Sequence, residues 1–129
     1  MTPSHVATPT PTPLSLRPAR ARQQLEDLLA DGRWPGDVDS VVLAMHEALV
    51  NAQRHAGGAI AVDAVLDGST LILEIYDRGP GFDLPPEPEA PEPLAERGRG
   101  LWLMCRISTR CEVRRQGDET CVHLRFDAA

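Results

Sequence analysis

The sequence of 129 residues contains no lysine, so all 13 of its basic residues are arginines. A phosphate-binding loop of the Walker type, a Schiff base and a lysine general base all require that side chain, and these three chemistries are therefore excluded. Aromatic residues make up only 4% of the chain. The three cysteines show no C-x-x-C spacing, which disfavours a zinc site or a disulfide framework.

Long apolar runs are also missing. No stretch reaches the length that crosses a membrane, and the N-terminus lacks the charged and apolar regions of a signal peptide. We therefore expect a cytoplasmic protein of one ordinary domain, without membrane contact. The net charge of −6 argues against a direct nucleic-acid partner. Residues 83–96 hold five acidic residues and no basic one, so the rest of the chain is nearly neutral.

Hydrophobic periodicity and turn signals divide the chain into a tail and one α+β domain. Residues 1–13 repeat Thr-Pro and carry almost no charge, so we expect a disordered tail. In residues 14–129 we expect helices on one face of a mixed, mostly antiparallel sheet. The first predicted elements are a strand over 14–17 and a helix over 19–30. A second helix extends from Asp37 or Asp39 to Ala56 and is capped by Asp39 or Ser40. The remaining elements are a hairpin over 59–66 and 70–76, a helix that begins at 98–100, and a hairpin over 111–115 and 120–126.

The second predicted helix carries the first candidate site. Glu47, Asn51 and His55 recur every four residues and therefore stack along one side of the helix. The small side chains of Ala44 and Ala48 lie beside this row and would leave room for a ligand. The alternative interpretation is an ordinary solvated helix face.

Two glycine motifs supply further candidates. Asp77-x-Gly79-x-Gly81 follows a predicted strand, where a fixed carboxylate can accept a hydrogen bond from an exocyclic amine and glycines let the backbone approach a flat ring. Gly98-x-Gly100 opens the third helix, whose free N–H groups and positive dipole end suit phosphate. By itself, the motif at Asp77 is equally typical of an ordinary turn. The alternative for the motif at Gly98 is a simple loop-to-helix joint.

Two other motif interpretations are excluded. His46-Glu47 begins like the zinc motif HExxH, but Val50 stands where the second histidine is required. The glycines at 98–100 do not directly follow a strand, and no second βαβ unit exists, so a dinucleotide-binding fingerprint is also a poor fit.

Together, the three motifs resemble those of the GHKL ATPase superfamily, whose members have the Bergerat fold, a two-layer α/β sandwich. Residues 47–55 resemble its N box, residues 77–82 its first glycine box and residues 98–101 its second, while Thr120 matches a threonine often found near the nucleotide. Over residues 14–127, the sequence is most similar to the bacterial anti-sigma factor serine/threonine kinases of the compact actinobacterial type.

This resemblance implies ATP and Mg²⁺ as cofactors. It gives Glu47 the role of general base, Asn51 that of a ligand to Mg²⁺ that bridges the ATP phosphates, and Asp77 that of adenine recognition. Residues 83–97 match the ATP lid, whose prolines favour extended backbone and whose acidic side chains are expected to face solvent or a partner. The other implied cofactor-binding residues are His55, Gly79, Gly81, Gly98, Gly100, Leu101, Thr120 and, near the terminal phosphate, either Arg97 or Arg99.

Family members are anti-sigma factors that switch partners, and they usually form homodimers. They sequester a sigma factor, and they phosphorylate a serine or threonine on an anti-anti-sigma protein of the STAS fold. The alternative is a nucleotide-sensing binding protein of the same fold without kinase activity. A histidine-kinase catalytic domain is disfavoured, because the segment before residue 14 is too short for dimerisation helices that carry a phosphoacceptor histidine.

Overall fold

A computed structural model describes residues 9–80 and 99–128, the side chains of 99–101 excepted. Its strands form one sheet in the order β1-β2-β3-β5-β4, and all four pairings between them are antiparallel. The α+β prediction is confirmed, and within the described residues the sheet is antiparallel throughout rather than mixed. The elements are β1 (Thr12–Leu14), α1 (Pro18–Asp31), α2 (Val38–Ala56), β2 (Ala61–Asp67), β3 (Thr70–Asp77), α3 (Arg99–Ile107), β4 (Arg110–Gln116) and β5 (Glu119–Asp127).

The core lies between the sheet and the helices. Every second residue of β3 is buried, as expected for a strand with one covered face. Leu71, Leu73 and Ile75 have no exposed surface, and Leu25 of α1 and Met104 of α3 are equally buried. The result is the two-layer arrangement expected when amphipathic helices cover one face of an antiparallel sheet.

The first strand lies earlier in the chain than expected. Thr12 pairs with Ala64 and Leu14 with Val62, so the strand begins two residues and ends three residues before the predicted range of 14–17, and it includes part of the predicted tail. Leu14 anchors this strand because its side chain is buried in the core. Pro13 is tolerated here, since an edge strand does not need every backbone N–H group. Residues 1–8 lie outside the described part of the chain.

The N-cap of α2 is Asp37, not Asp39 or Ser40 as predicted. Asp37 has extended backbone dihedrals, and its Oδ1 accepts the N–H groups of Asp39 at 3.1 Å and of Ser40 at 3.4 Å. The Ser40 hydroxyl donates to Asp37 Oδ2, and these bonds hold the pKa of the carboxyl below its ordinary value. Gly57, in the left-handed conformation with φ of 74°, ends the helix as predicted.

Ala44 and Ala48 do not leave room for a ligand. Both are essentially inaccessible to solvent and belong to the core, so that expectation was wrong. Their small size instead suits close packing, since α3 lies along α2. Within residues 9–80 and 99–128, no helix is long and apolar enough to cross a membrane.

Candidate functional site

Asp77 lies at the end of β3 with only 5% of its surface exposed. Its Oδ1 accepts the backbone N–H of Gly79 at 2.8 Å, which fixes the orientation of the carboxyl group. The other oxygen makes no hydrogen bond to the described residues. The strand end therefore presents one held and one available carboxylate oxygen, the arrangement that acceptance of an exocyclic amine requires.

The Gly79 carbonyl is held from the opposite side of the loop. It accepts the Thr120 hydroxyl at 3.0 Å and also an N–H of the Arg115 guanidinium. The same nitrogen, Arg115 Nη1, donates to Thr120 Oγ1 at 2.8 Å, and Thr120 is completely buried. Asp77, Gly79, Thr120 and Arg115 thus form one hydrogen-bonded group, which we call the Asp77 network.

Strand register explains how residues that are distant in sequence come together in the Asp77 network. Asp77 is the cross-strand partner of Thr120, and Thr120 is the partner of Arg115, so the three stand in one row across β3, β5 and β4. All three occupy positions on the helix-covered face of the sheet. Asp77 and Thr120 were predicted site residues, and the structure brings them together.

Gly79 is packed tightly against the end of α2. A Cβ atom at this position would lie 2.7 Å from the Ala56 Cβ and 3.0 Å from the His55 carbonyl oxygen. We expected a glycine here to let the backbone approach a flat ring, but the observed close approach is to the helix. Gly79 therefore joins the Asp77 network to the helix that carries the other candidate residues.

Glu47 and Asn51 lie one behind the other on α2, and His55 completes the row at its exposed end. Along the helix axis Asn51 is about 6 Å and Glu47 about 12 Å from His55. Glu47 and Asn51 are half-buried, and neither makes a hydrogen bond to the described residues. A carboxylate and an amide oxygen are thus available along a helix face that leads away from Asp77.

The two glycine boxes are only partly described. Gly81 of the first box, the predicted lid over 83–97 with Arg97, and Gly98 of the second box lie outside the described residues. Arg99, Gly100 and Leu101 form the first turn of α3, a helix that begins where the sequence predicted. Since α3 packs along α2, the N-terminal end of α3 lies in the same layer as the Glu47–Asn51 row.

Arg115 was missed in the sequence. Its position on β4 directly opposite Thr120 follows from the Gly117-Asp118 turn, and Gly117 has the positive φ of 65° that such a turn requires. Counting back from this turn on both strands would have identified the pair. The contact of its guanidinium with the Gly79 carbonyl has no comparable sequence signal, because it depends on a loop elsewhere in the chain.

The opposite face of the sheet at this point carries two neutral groups beside the charged Arg114, which is the cross-strand partner of Cys121. Tyr76 and Cys121 are cross-strand partners next to Asp77 and Thr120, and their side chains point away from the Asp77 network. Burial raises the pKa of the Cys121 thiol to about 12 and raises the pKa of the Tyr76 phenol above its ordinary value, with the Glu74 charge adding to both shifts. Neither group ionises near pH 7, so neither offers a nucleophile.

A groove of about 680 Å³ lies between α1 and the first half of α2. None of the predicted site residues lines it, and most of its wall is apolar, so it is distinct from the candidate site. Its lining residues are Pro18, Ala19, Arg22, Asp39, Val42, Leu43, Met45, His46 and Leu49.

Comparison with known proteins agrees with this geometry. The family model of the histidine kinase-like ATPase domain matches residues 10–126, and the chain belongs to this family. The search of curated proteins gave no match. Among solved structures, the chain is similar to the Acinetobacter baumannii histidine kinase AdeS, with a TM-score of 0.54 and 15% sequence identity over 92% of this chain and 68% of that one. At this identity the likeness concerns the fold alone.

These findings confirm the GHKL superfamily and its Bergerat fold, including the five-stranded sheet with helices on one face. The family is one of ATPase domains, which agrees with an ATP-binding regulator or kinase. The anti-sigma subfamily, its partners and the roles of individual residues stay predictions.

Proposed function

We propose that this chain is an Mg²⁺- and ATP-dependent protein serine/threonine kinase that acts as an anti-sigma factor. The observation that carries the proposal is the junction at Gly79. There, the loop that holds Asp77 packs directly on the helix that bears Asn51 and Glu47. A nucleotide with its base at Asp77 can then extend its phosphates along α2.

Adenine recognition is assigned to Asp77. Its available oxygen accepts the exocyclic amine, while the bond from the Gly79 N–H keeps the carboxyl group in place. Thr120 supports the same loop, because its hydroxyl donates a hydrogen bond to the Gly79 carbonyl. Because these groups are already buried and bonded, binding of the base costs little reorganisation.

Asn51 fits the role of a magnesium ligand. Mg²⁺ prefers oxygen ligands and usually binds through one or two protein groups together with phosphates and water. The Asn51 amide is half-buried and makes no hydrogen bond to the described residues. Among the described residues there is no group of three His, Cys, Asp or Glu side chains that could hold a metal. An ion held by Asn51 and the nucleotide phosphates would neutralise charge on those phosphates.

Glu47 is assigned as the general base. Its carboxylate takes the proton from the hydroxyl of the acceptor serine or threonine as the oxygen bonds to the terminal phosphorus. The bond from that phosphorus to the bridging oxygen breaks, and ADP leaves. Glu47 lies one helical turn from Asn51, and this short separation supports a base beside the proposed phosphate end of the nucleotide.

The proposed acceptor is a STAS-type anti-anti-sigma protein, and the second proposed partner is a sigma factor. Support for both comes from the resemblance of the sequence motifs to anti-sigma kinases. A phosphate on the acceptor would weaken its complex with this chain through added charge and bulk, which leaves the chain free to bind the sigma factor.

The test is incubation of the chain with γ-labelled ATP, Mg²⁺ and STAS-domain proteins encoded near it. We expect label on one serine or threonine, and a loss of about 100-fold or more in the transfer rate for Glu47→Ala, with ATP affinity retained. Gln53→Ala, an exposed change on the same helix, is the matched control. Transfer that is unaffected by Glu47→Ala would contradict the assigned base.

The second candidate is a nucleotide-sensing binding protein without kinase activity. One observation favours it: no described residue makes a hydrogen bond that orients Glu47, whereas a general base must be directed at its proton. Calorimetry that shows ATP binding by a chain with no transfer to any STAS partner would select this function.

A further inference from the structure

Arg115 on β4 links its own strand to the Gly79 loop and adds to the Thr120–Gly79 bond that already joins β5 to that loop. Its Nη1 donates to both the Gly79 carbonyl and the Thr120 hydroxyl, and its Nη2 reaches the Gly117 carbonyl at 3.5 Å. A guanidinium presents its donors in a rigid planar fork, so these contacts limit where the loop can lie relative to β4. Bonds from a charged donor are also stronger than neutral ones.

The contacts form a chain that ends at the carboxylate. The Arg115 guanidinium and the Thr120 hydroxyl both donate hydrogen bonds to the Gly79 carbonyl. The backbone N–H of Gly79 in turn donates to Asp77 Oδ1. Movement of Gly79 therefore displaces the donor that orients Asp77. Thr120 holds the Gly79 carbonyl by one hydrogen bond from a neutral donor. Arg115 adds a hydrogen bond from a charged donor to the same carbonyl and also donates to the Thr120 hydroxyl.

We propose that Arg115 is a positioning residue for base specificity, which fixes Asp77 in the orientation that selects an adenine amine. This inference rests on the proposed binding of ATP at Asp77. Arg115 acts through Gly79 and Thr120, with no direct contact to the base required. Its loss should therefore reduce the preference for adenine more than it reduces the affinity for a triphosphate.

The neighbouring arginine provides a matched control. Arg114 lies on the opposite face of β4 and bonds Glu112, with Nη2 at 2.7 Å from Oε2, away from the Asp77 network. The variants Arg115→Gln and Arg114→Gln thus remove the same charge from adjacent positions of one strand. Only the first breaks the contact with the Gly79 carbonyl.

The experiment measures the dissociation constants of ATP and inosine triphosphate by calorimetry in the presence of Mg²⁺. The inosine base has a carbonyl in place of the exocyclic amine, so it cannot form the amine hydrogen bond assigned to Asp77. For Arg115→Gln we expect ATP to bind about tenfold more weakly, with a change of less than about twofold for inosine triphosphate. Arg115→Lys, which keeps one charged donor, should recover part of the loss, and Arg114→Gln should behave as the wild type.

Equal weakening for both nucleotides would assign Arg115 a general structural role, and no weakening would show that Thr120 holds the loop alone. Either result overturns the inference. If Arg115→Gln does not fold, the comparison of the two nucleotides with Arg115→Lys decides in the same way. A wild-type chain that binds neither nucleotide contradicts the proposed function as well. If the wild type prefers ATP and Arg115→Gln retains that preference, only the inference fails.

Discussion

The two ends of the candidate site are built differently. At the Asp77 end, the carboxyl and the Thr120 hydroxyl are almost inaccessible to solvent and are bonded within the protein. At the other end, Glu47 and Asn51 are half-buried and make no hydrogen bond to the described residues. Contacts within the protein thus fix the orientation of the Asp77 carboxyl, whereas the groups proposed for metal and phosphate are not held by hydrogen bonds to the described residues.

This contrast predicts that substitutions at the two ends differ in kind. A change in the Asp77 network should alter affinity or stability whether or not Mg²⁺ is present, because its contacts are internal to the protein. A substitution at Asn51 should alter ATP affinity only when Mg²⁺ is present. The following variants test that division, in order of decreasing expected effect.

The largest effect is expected for Asp77→Asn. The single carbonyl oxygen of asparagine can accept the Gly79 N–H, but the amide NH₂ then faces the adenine amine, so two donors meet. We expect ATP affinity to fall by about 100-fold, since a charged hydrogen bond is replaced by a repulsive contact. Calorimetry with and without Mg²⁺ measures this. Asp63→Asn, on the opposite face of the sheet, is the control, and equal losses in the two variants would contradict the assignment.

A smaller effect, on stability, is expected for Gly79→Ala. The added methyl group meets the Ala56 Cβ at 2.7 Å and the His55 carbonyl at 3.0 Å, and neither backbone can move freely. Overpacking of this kind costs about 2 kcal/mol. Chemical denaturation measures the free energy of unfolding, with Arg78→Ala, an exposed change in the same loop, as the reference. A variant as stable as the reference would show that the junction with α2 is loose.

The smallest effect is expected for Asn51→Ala. With Mg²⁺, ATP should bind about tenfold more weakly, because one contact to a charged group is lost. In EDTA, the affinity for ATP should not change. The free energy of unfolding should also stay the same, because no bond to a described residue is lost. Titrations in Mg²⁺ and in EDTA distinguish these cases. Equal weakening in both buffers would place Asn51 on the nucleotide rather than on the metal.

Local signals in the sequence predicted most of the fold. Asp67-Gly68 and Gly117-Asp118 mark both hairpins, and Gly57 marks the end of α2, because each needs a conformation that only a few residues adopt. Alternation of apolar residues then placed the strands that follow these turns. The motif that follows β3 brought Asp77 into the candidate site, and Thr120 entered it through the family resemblance.

What could not be predicted depends on contacts between distant segments. Pairing with β2 decides where β1 begins, and nothing local shows that Ala44 and Ala48 are covered by other elements. Arg115 resembles any exposed arginine until the position of Gly79 is known. The error at the cap of α2 was local: three polar residues within positions 37–40 could each serve, and the extended backbone of Asp37 decides among them.

The order of the strands has one more consequence. β4 is an outer strand, so its unpaired backbone groups could align another chain. It also carries three arginines, Arg110, Arg114 and Arg115, within seven residues. Charged side chains on an outer strand disfavour pairing with a second copy of that strand. The strand that holds the Gly79 loop thereby also protects the sheet against growth by edge-to-edge association.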